Sequence, residues 1–281
     1  MKKFIVLLFC LSFGFYSCME EGTSNSSNSD ELEQSDAKEK KKPNAIKQIK
    51  APISSPEKMF GYIHDQGISY SKDLMNAPAK AQNYVTPQQK ALNFGIYTTD
   101  LAYAAAYQDI ESTVDLYKTV KRLSAELDIA EVVNAEMVEQ MQANMENPDS
   151  LAVVAGQAYY QAVDFLEDNR QSGKLALMSV GGWMESLYIT MNAIEGEKNA
   201  TTTKQKVAEQ KKIFQNLHAY LEKNQTDLGV EATLQSLQPV ADIYKEITAE
   251  ETGGQLKIND TQYEQLKQAV SNYRNQLITV E

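Results

Sequence analysis

Cysteine is nearly absent from this chain. Among 281 residues there are two, Cys10 and Cys18, both within the first eighteen positions. The rest of the sequence can therefore form no disulfide and no thiolate metal centre. Histidine is as scarce, with His64 and His218 alone, which argues against zinc, haem or iron–sulfur chemistry and leaves little for a Ser/His/Asp triad. His218 also has a plain structural role, since it sits four residues after Phe214 and three before Leu221, at the edge of an apolar helix face. The G-x-S-x-G, Walker, G-x-G-x-x-G, H-E-x-x-H and EF-hand patterns are all missing. No metal, no cofactor and no catalytic residue is expected. Arginine is limited to Arg122, Arg170 and Arg274, so few side chains could clamp a phosphate or carboxylate with two hydrogen bonds. Formal net charge is −11, a sign that repels phosphate backbones, and a nucleic-acid partner is not expected.

What the chain does have begins at residue 1. Met1-Lys2-Lys3 is followed by an apolar run from Phe4 to Tyr16, then Ser17-Cys18. A positive start, an apolar stretch too short for a bilayer and a small residue before the cut describe an export signal. A cysteine after the cut turns export into anchoring, because acylation at Cys18 supplies two or more chains. Phe15-Tyr16-Ser17 is looser than the usual aliphatic-small-small pattern, and bulky Phe9 makes Cys10 a poor substitute. Residues 19–50 carry almost no large apolar side chains, as a tether should. The expected organisation is a signal over 1–17, a lipidated Cys18 with a polar tether over 18–56, and one α-helical domain over 57–281. Without residues 1–17, which hold Lys2 and Lys3 and no acid, net charge becomes −13.

From about Glu57 the pattern is helical. Thr86-Pro87-Gln88-Gln89 reads as a helix start with a capping box. Three apolar stripes follow at steps of three and four: Ile110, Val114, Tyr117, Val120, Leu123, Leu127; then Val207, Gln210, Phe214, Leu217, Leu221; then Tyr263, Leu266, Val270, Tyr273, Leu277, Val280. Pro148, Gly173, Gly196, Gly229 and Gly253-Gly254 supply breaks, and Pro239 kinks or divides its helix. No alternating strand pattern is present. The fold class is all-α, a bundle of about eight or nine helices.

Three stretches are nearly uncharged: Ala91 to Gln108, Ser150 to Val163 and Leu175 to Ile194. Helices without a charged face are expected inside. The third is long enough to span a bilayer, but Gly181-Gly182, Glu185, Asn192 and the lack of a basic flank favour a central core helix. Two of them echo each other: Gly95-Ile96-Tyr97 with Leu101, and Gly181-Gly182-Trp183 with Leu187. Ala102, Ala104, Ala105 and Ala106 against Gly181-Gly182 would allow close backbone approach.

The segments Phe94 to Tyr103, Asn147 to Leu151 and Gly181 to Tyr188 resemble recurring blocks of uncharacterised all-helical envelope lipoproteins of Bacteroidota. The likeness covers roughly residues 85–225. Met19-Glu20-Glu21 likewise resembles the acidic export signal of surface lipoproteins in that group. The resemblance implies an outer-membrane lipoprotein, on the periplasmic face or the cell surface, and carries no activity.

Asp100 and Glu185 are the residues to weigh. Each is a carboxyl in an otherwise uncharged helix, so on burial it must find partners or take up a proton. As a facing pair they could act as general acid and base, as in glycoside hydrolysis. With Tyr97, Tyr103, Tyr107, Trp183 and Tyr188 they could instead bind a small molecule or glycan. The structural alternative makes Asp100 an N-cap for a helix beginning at Leu101 and lets Glu185 bond a tyrosine hydroxyl. On that alternative Glu185→Gln is expected to change stability little or raise it. Met137, Met141 and Met145 read as helix-face packing. The leading expectation is a non-enzymatic interaction lipoprotein with an envelope protein partner. A ligand-binding lipoprotein comes second and a carboxylate hydrolase third.

Overall fold

A computed structural model describes residues 67–133, 136, 139–140, 143–144, 148–193, 200–249 and 254–279. The signal, Cys18, the tether, His64 and the Met137, Met141, Met145 series lie outside them. Among the described residues there are eight α-helices: α1 Pro87–Ala106, α2 Ile110–Glu126, α3 Pro148–Asp168, α4 Ser172–Ala193, α5 Ala200–Lys223, α6 Val230–Ser236, α7 Gln238–Glu246 and α8 Asp260–Ile278. One antiparallel pair of two-residue strands, β1 Thr248–Ala249 and β2 Leu256–Lys257, joins α7 to α8. The architecture is the expected all-α bundle.

Local chemistry sets several boundaries. Thr86 Oγ1 accepts the Gln89 N–H and the Gln89 side chain accepts the Thr86 N–H, so the capping box forms with Pro87 at the first turn. Asn259 and Gln262 repeat the device at α8, and Asp109 caps α2 through the Ser112 N–H. Pro239 divides rather than kinks its helix, with Leu237 between α6 and α7.

The core is built around α1 and α4. Within α4 every residue from Leu175 to Leu187 is buried, and α1 is buried from Ala91 to Tyr97. Their crossing is set by two glycines. A Cβ on Gly95 would fall on the Met178 carbonyl oxygen, and a Cβ on Gly181 would fall on the Leu92 carbonyl oxygen. The contact is reciprocal: the register that maps Gly95 onto Gly181 maps Leu92 onto Met178. The weak sequence echo between the two segments is thus a shared contact surface. Close approach on the α1 side comes from Gly95 rather than from the alanine run at 102 and 104–106.

Three expectations change. The uncharged Ser150–Val163 stretch is not enclosed, because Gln157 and Gln161 are exposed. Lack of charge is not lack of polarity, and a glutamine amide keeps its water. In α2 the stripe is rotated, with Ile110 62% and Val114 43% exposed while Ser112, Leu116, Thr119, Val120 and Leu123 are buried. Ser112 and Thr119 can go inside because each hydroxyl is satisfied locally, by Asp109 Oδ2 and by the Asp115 carbonyl. Finally, residues 67–86 form no α-helix. Lys72–Leu74 and Pro78–Asn83 are 3-10 turns, and Pro78 holds Ala77 extended at ψ 126°.

This stretch, Gly67 to Tyr84, is a strap. It runs antiparallel along α1: Tyr107 Oη donates to the Ile68 carbonyl (2.6 Å), Tyr103 Oη accepts the Ser71 N–H (3.0 Å), Asp100 accepts the Asn76 N–H (2.9 Å) and Tyr97 Oη donates to the Ala77 carbonyl (2.9 Å). As the strap number rises, the α1 number falls.

Candidate functional site

Glu185, at the middle of α4, is fully buried and receives Arg274 from α8 with two hydrogen bonds, Nε to Oε2 at 2.9 Å and Nη2 to Oε1 at 2.8 Å. The same Nη2 donates to the Leu74 carbonyl of the strap at 3.0 Å. The Arg274 guanidinium lies 4.2 Å from the centroid of the Tyr188 ring, a cation–π contact that closes one side. Burial alone would lower the arginine's proton affinity, but the hydrogen bonds and charge of Glu185 overcome it and hold the guanidinium protonated.

Asp100 sits in the middle of α1 and is also fully buried. It is therefore not the N-cap of a helix beginning at Leu101; α1 starts four turns earlier in capping terms, at Thr86. Its Oδ2 accepts the Asn76 N–H. Treated as an ionised carboxylate, Oδ1 has no partner; carrying a proton, the carboxyl bonds that of Glu185. Burial first and the neighbouring Glu185 charge second push the Asp100 carboxyl well above the usual carboxylate range, with the Asn76 N–H and Arg274 acting the other way. A charge count agrees: Glu185 and Arg274 cancel, and a neutral Asp100 leaves the enclosure with no net charge.

The strap completes the cluster. Asn76 Nδ2 donates to Tyr84 Oη at 3.0 Å, and the Tyr84 and Tyr97 rings lie 6.4 Å apart. Nearer the strap's start, Tyr70, Tyr103 and Tyr107 pack mutually at 5.1 to 5.3 Å, with Tyr70 Oη donating to Asp109 at 2.7 Å. Burial raises the hydroxyl pKa of Tyr97, Tyr103 and Tyr84, and that of Tyr107 to about 12. These phenols are neutral hydrogen-bonding groups.

Of the seven residues singled out from sequence, six meet around this cluster and the strap: Tyr97, Asp100, Tyr103, Tyr107, Glu185 and Tyr188. Trp183 does not. It lies two positions from Glu185, which on a helix places it on another face, and it packs against Phe214 (5.1 Å) and Tyr244 (6.0 Å) with its indole N–H directed to Gln210. The aromatic pocket combining Trp183, Glu185 and Asp100 is not assembled. Nor do two carboxyls in hydrogen-bond contact leave room between them for the bond or the water that glycoside hydrolysis places there. His218 stacks 5.8 Å from Phe214 and faces Glu222 at 3.5 Å, a structural position.

Arg274 and Asn76 are the members that sequence reading missed. A signal existed for Arg274: it lies four residues after Val270, on the buried side of a helix that is otherwise apolar there, where an arginine requires a carboxylate. Asn76 had none, since its backbone N–H is the functional atom. Among the described residues no cluster of three His, Cys, Asp or Glu could hold a metal ion, and no helix is long and apolar enough to cross a membrane. No family model, curated protein or solved structure matches the chain.

Proposed function

We propose that this chain is a non-enzymatic, α-helical interaction module held at the outer membrane by lipid on Cys18, of the kind its resemblance to Bacteroidota envelope lipoproteins implies, with another envelope protein as its partner. The observation that carries this reading is how the candidate residues are used. Asp100, Glu185, Arg274 and the tyrosines are committed to one another and to the strap, and none of the carboxyls faces an opening. A described surface depression, lined by Glu246, Thr248, Ala249, Lys257, Asn259 and Gln262, includes none of them. A site for chemistry needs groups left free to meet a substrate, and here the polar groups hold the fold together. The apolar run ending at Ser17-Cys18 and the polar residues 19–50 support the anchor.

The test is fractionation with palmitate labelling. Cys18→Ala should move the protein from the membrane fraction to the soluble one and abolish labelling. Labelling that persists in the variant refutes the anchor.

A further inference from the structure

The bundle grips the strap by its backbone. Tyr107, Tyr103, Arg274, Asp100 and Tyr97 bond, in order, the Ile68 carbonyl, the Ser71 N–H, the Leu74 carbonyl, the Asn76 N–H and the Ala77 carbonyl. Five side chains from α1, its C-cap Tyr107 and α8 thus address five main-chain atoms within ten residues. Strap side chains anchor it as well: Ile68, Asn76, Ala81 and Tyr84 are buried and Tyr70, Leu74 and Met75 pack half-buried against the core, while Ser69, Lys72, Asp73, Ala77, Pro78, Ala79, Lys80, Gln82 and Asn83 are exposed. Hydrogen bonds to the main chain, with side-chain anchors beside them, are one way in which peptides are bound.

What lies under the strap also differs from an ordinary core. Beside the apolar core that Ile68, Ala81 and Tyr84 join, its floor carries three tyrosine hydroxyls, two carboxyls and a guanidinium. Withdrawing the strap would hydrate those groups, which offsets part of what is lost with its apolar contacts. The strap meets the bundle through one connection, with exposed Val85 (75%) between Tyr84 and the α1 capping box.

We propose that the face formed by α1, α4 and α8 is a peptide-binding groove, filled in cis by residues 67–84, in which a peptide supplied in trans can take the strap's place. This deepens the interaction-module reading above, and rests on it, by naming the site and the partner class: a peptide that takes the strap's conformation, with 3-10 turns at the positions of Lys72–Leu74 and Pro78–Asn83, offering a main-chain N–H opposite Tyr103 and Asp100 and carbonyls opposite Tyr107, Arg274 and Tyr97.

The experiment uses the full chain with a protease recognition sequence inserted between Tyr84 and Val85, outside the capping box. After cleavage the strap is held by non-covalent contacts alone. A fluorescent peptide of residues 67–84 is then added and its anisotropy followed, with helical circular dichroism recorded in parallel. The labelled peptide should exchange into the cut protein and be displaced by unlabelled peptide. A version with serine in place of the outward Lys72, Asp73 and Lys80 should bind within about threefold. A version N-methylated at Ser71 and Asn76, which cannot donate to Tyr103 and Asp100, should bind at least about tenfold more weakly. Three results would each overturn the proposal: unfolding of the cut protein, retention of the original strap without exchange, or equal binding of the N-methylated peptide. None of these readouts involves the membrane, so failure here and failure of the Cys18 anchor are separate outcomes.

Discussion

Removing the Glu185 carboxylate has a cost that depends on whether Asp100 is free to replace it. Arg274 is 5% exposed, and a buried guanidinium left without a counter-charge costs about 3–5 kcal/mol. In Glu185→Gln that cost is not fully incurred, because Asp100 holds a proton it can release. Once the neighbouring negative charge is gone, the attraction of Arg274 favours the ionised form, and the net charge of the enclosure returns to zero. The single variant should therefore lose about 1–3 kcal/mol, the value of the charge-assisted bonds to Arg274 that an amide cannot reproduce. This corrects the expectation from sequence that Glu185→Gln is neutral or stabilising, which held only for a carboxyl without a cationic partner. Asp100→Asn alone should be within about 1 kcal/mol of the parent, since the amide still accepts the Asn76 N–H and donates toward Glu185. The double variant has no carboxylate left and should lose about 3–5 kcal/mol, or roughly 6–20 °C in melting temperature at about 2–4 °C per kcal/mol. Denaturant unfolding of all four proteins at neutral pH supplies the cycle. The coupling between the two substitutions should be clearly destabilising, on the order of 1–3 kcal/mol. Losses that add to within about 0.5 kcal/mol would refute the idea that Asp100 is a reserve counter-ion.

Two further outcomes are expected. Gly95→Ala and Gly181→Ala each place a methyl on a backbone carbonyl of the facing helix, so each should cost about 3 kcal/mol or more, whereas Gly182→Ala, whose Cβ would meet the Thr99 hydroxyl at 3.2 Å, should cost about 1 kcal/mol or less; equal denaturation midpoints for the three would be inconsistent with the reciprocal crossing. Asp100 should also leave a signature in pH dependence. Its folded carboxyl binds a proton more tightly than the unfolded one, so its contribution is complete below the ordinary carboxylate range near 3.9 and is lost as pH rises toward the folded value, at up to about 1.4 kcal/mol per pH unit. The parent's stability should fall relative to Asp100→Asn as pH rises above about 4, and parallel curves would show that Asp100 is not held protonated.

How much of this could be read in the sequence depended on whether a feature was local. The capping box at Thr86, the α5 stripe, the α8 stripe from Tyr263 to Leu277 and the division at Pro239 are set within one or two turns and are present as expected, while Val280 lies outside the described residues. Helix ends were less visible: α1, α2 and α3 are followed by Gln108, Asp128 and Arg170 in the left-handed region, φ 57–58°, where a glycine would have announced the stop. Site residues were recognised by type but not by grouping. A charge missing from a helix's surroundings marks Asp100 and Glu185 as special, yet the partner of Glu185 comes from eighty-nine residues further on and that of Asp100 from twenty-four residues before it, and no local pattern carries those distances. The strap was misread as helical because its hold is on main-chain atoms, which every residue possesses.

The direction of the strap determines how it answers a load. Tension on the chain before Gly67 reaches Ile68 first, at the Tyr107 end of α1, while the far end at Tyr84 is fixed to the start of the same helix. Antiparallel attachment of this kind opens like a zipper: the Tyr107, Tyr103, Asp100 and Tyr97 contacts meet the force one after another instead of sharing it. Each step therefore resists with one or two hydrogen bonds and the side chains packed beside them, and complete release adds residues 67–84 to the tether, roughly 60 Å at about 3.3–3.6 Å per residue. In the proposed lipid-anchored form, the distance at which the bundle works from the membrane would be adjustable by a modest pull, without unfolding any of its α-helices.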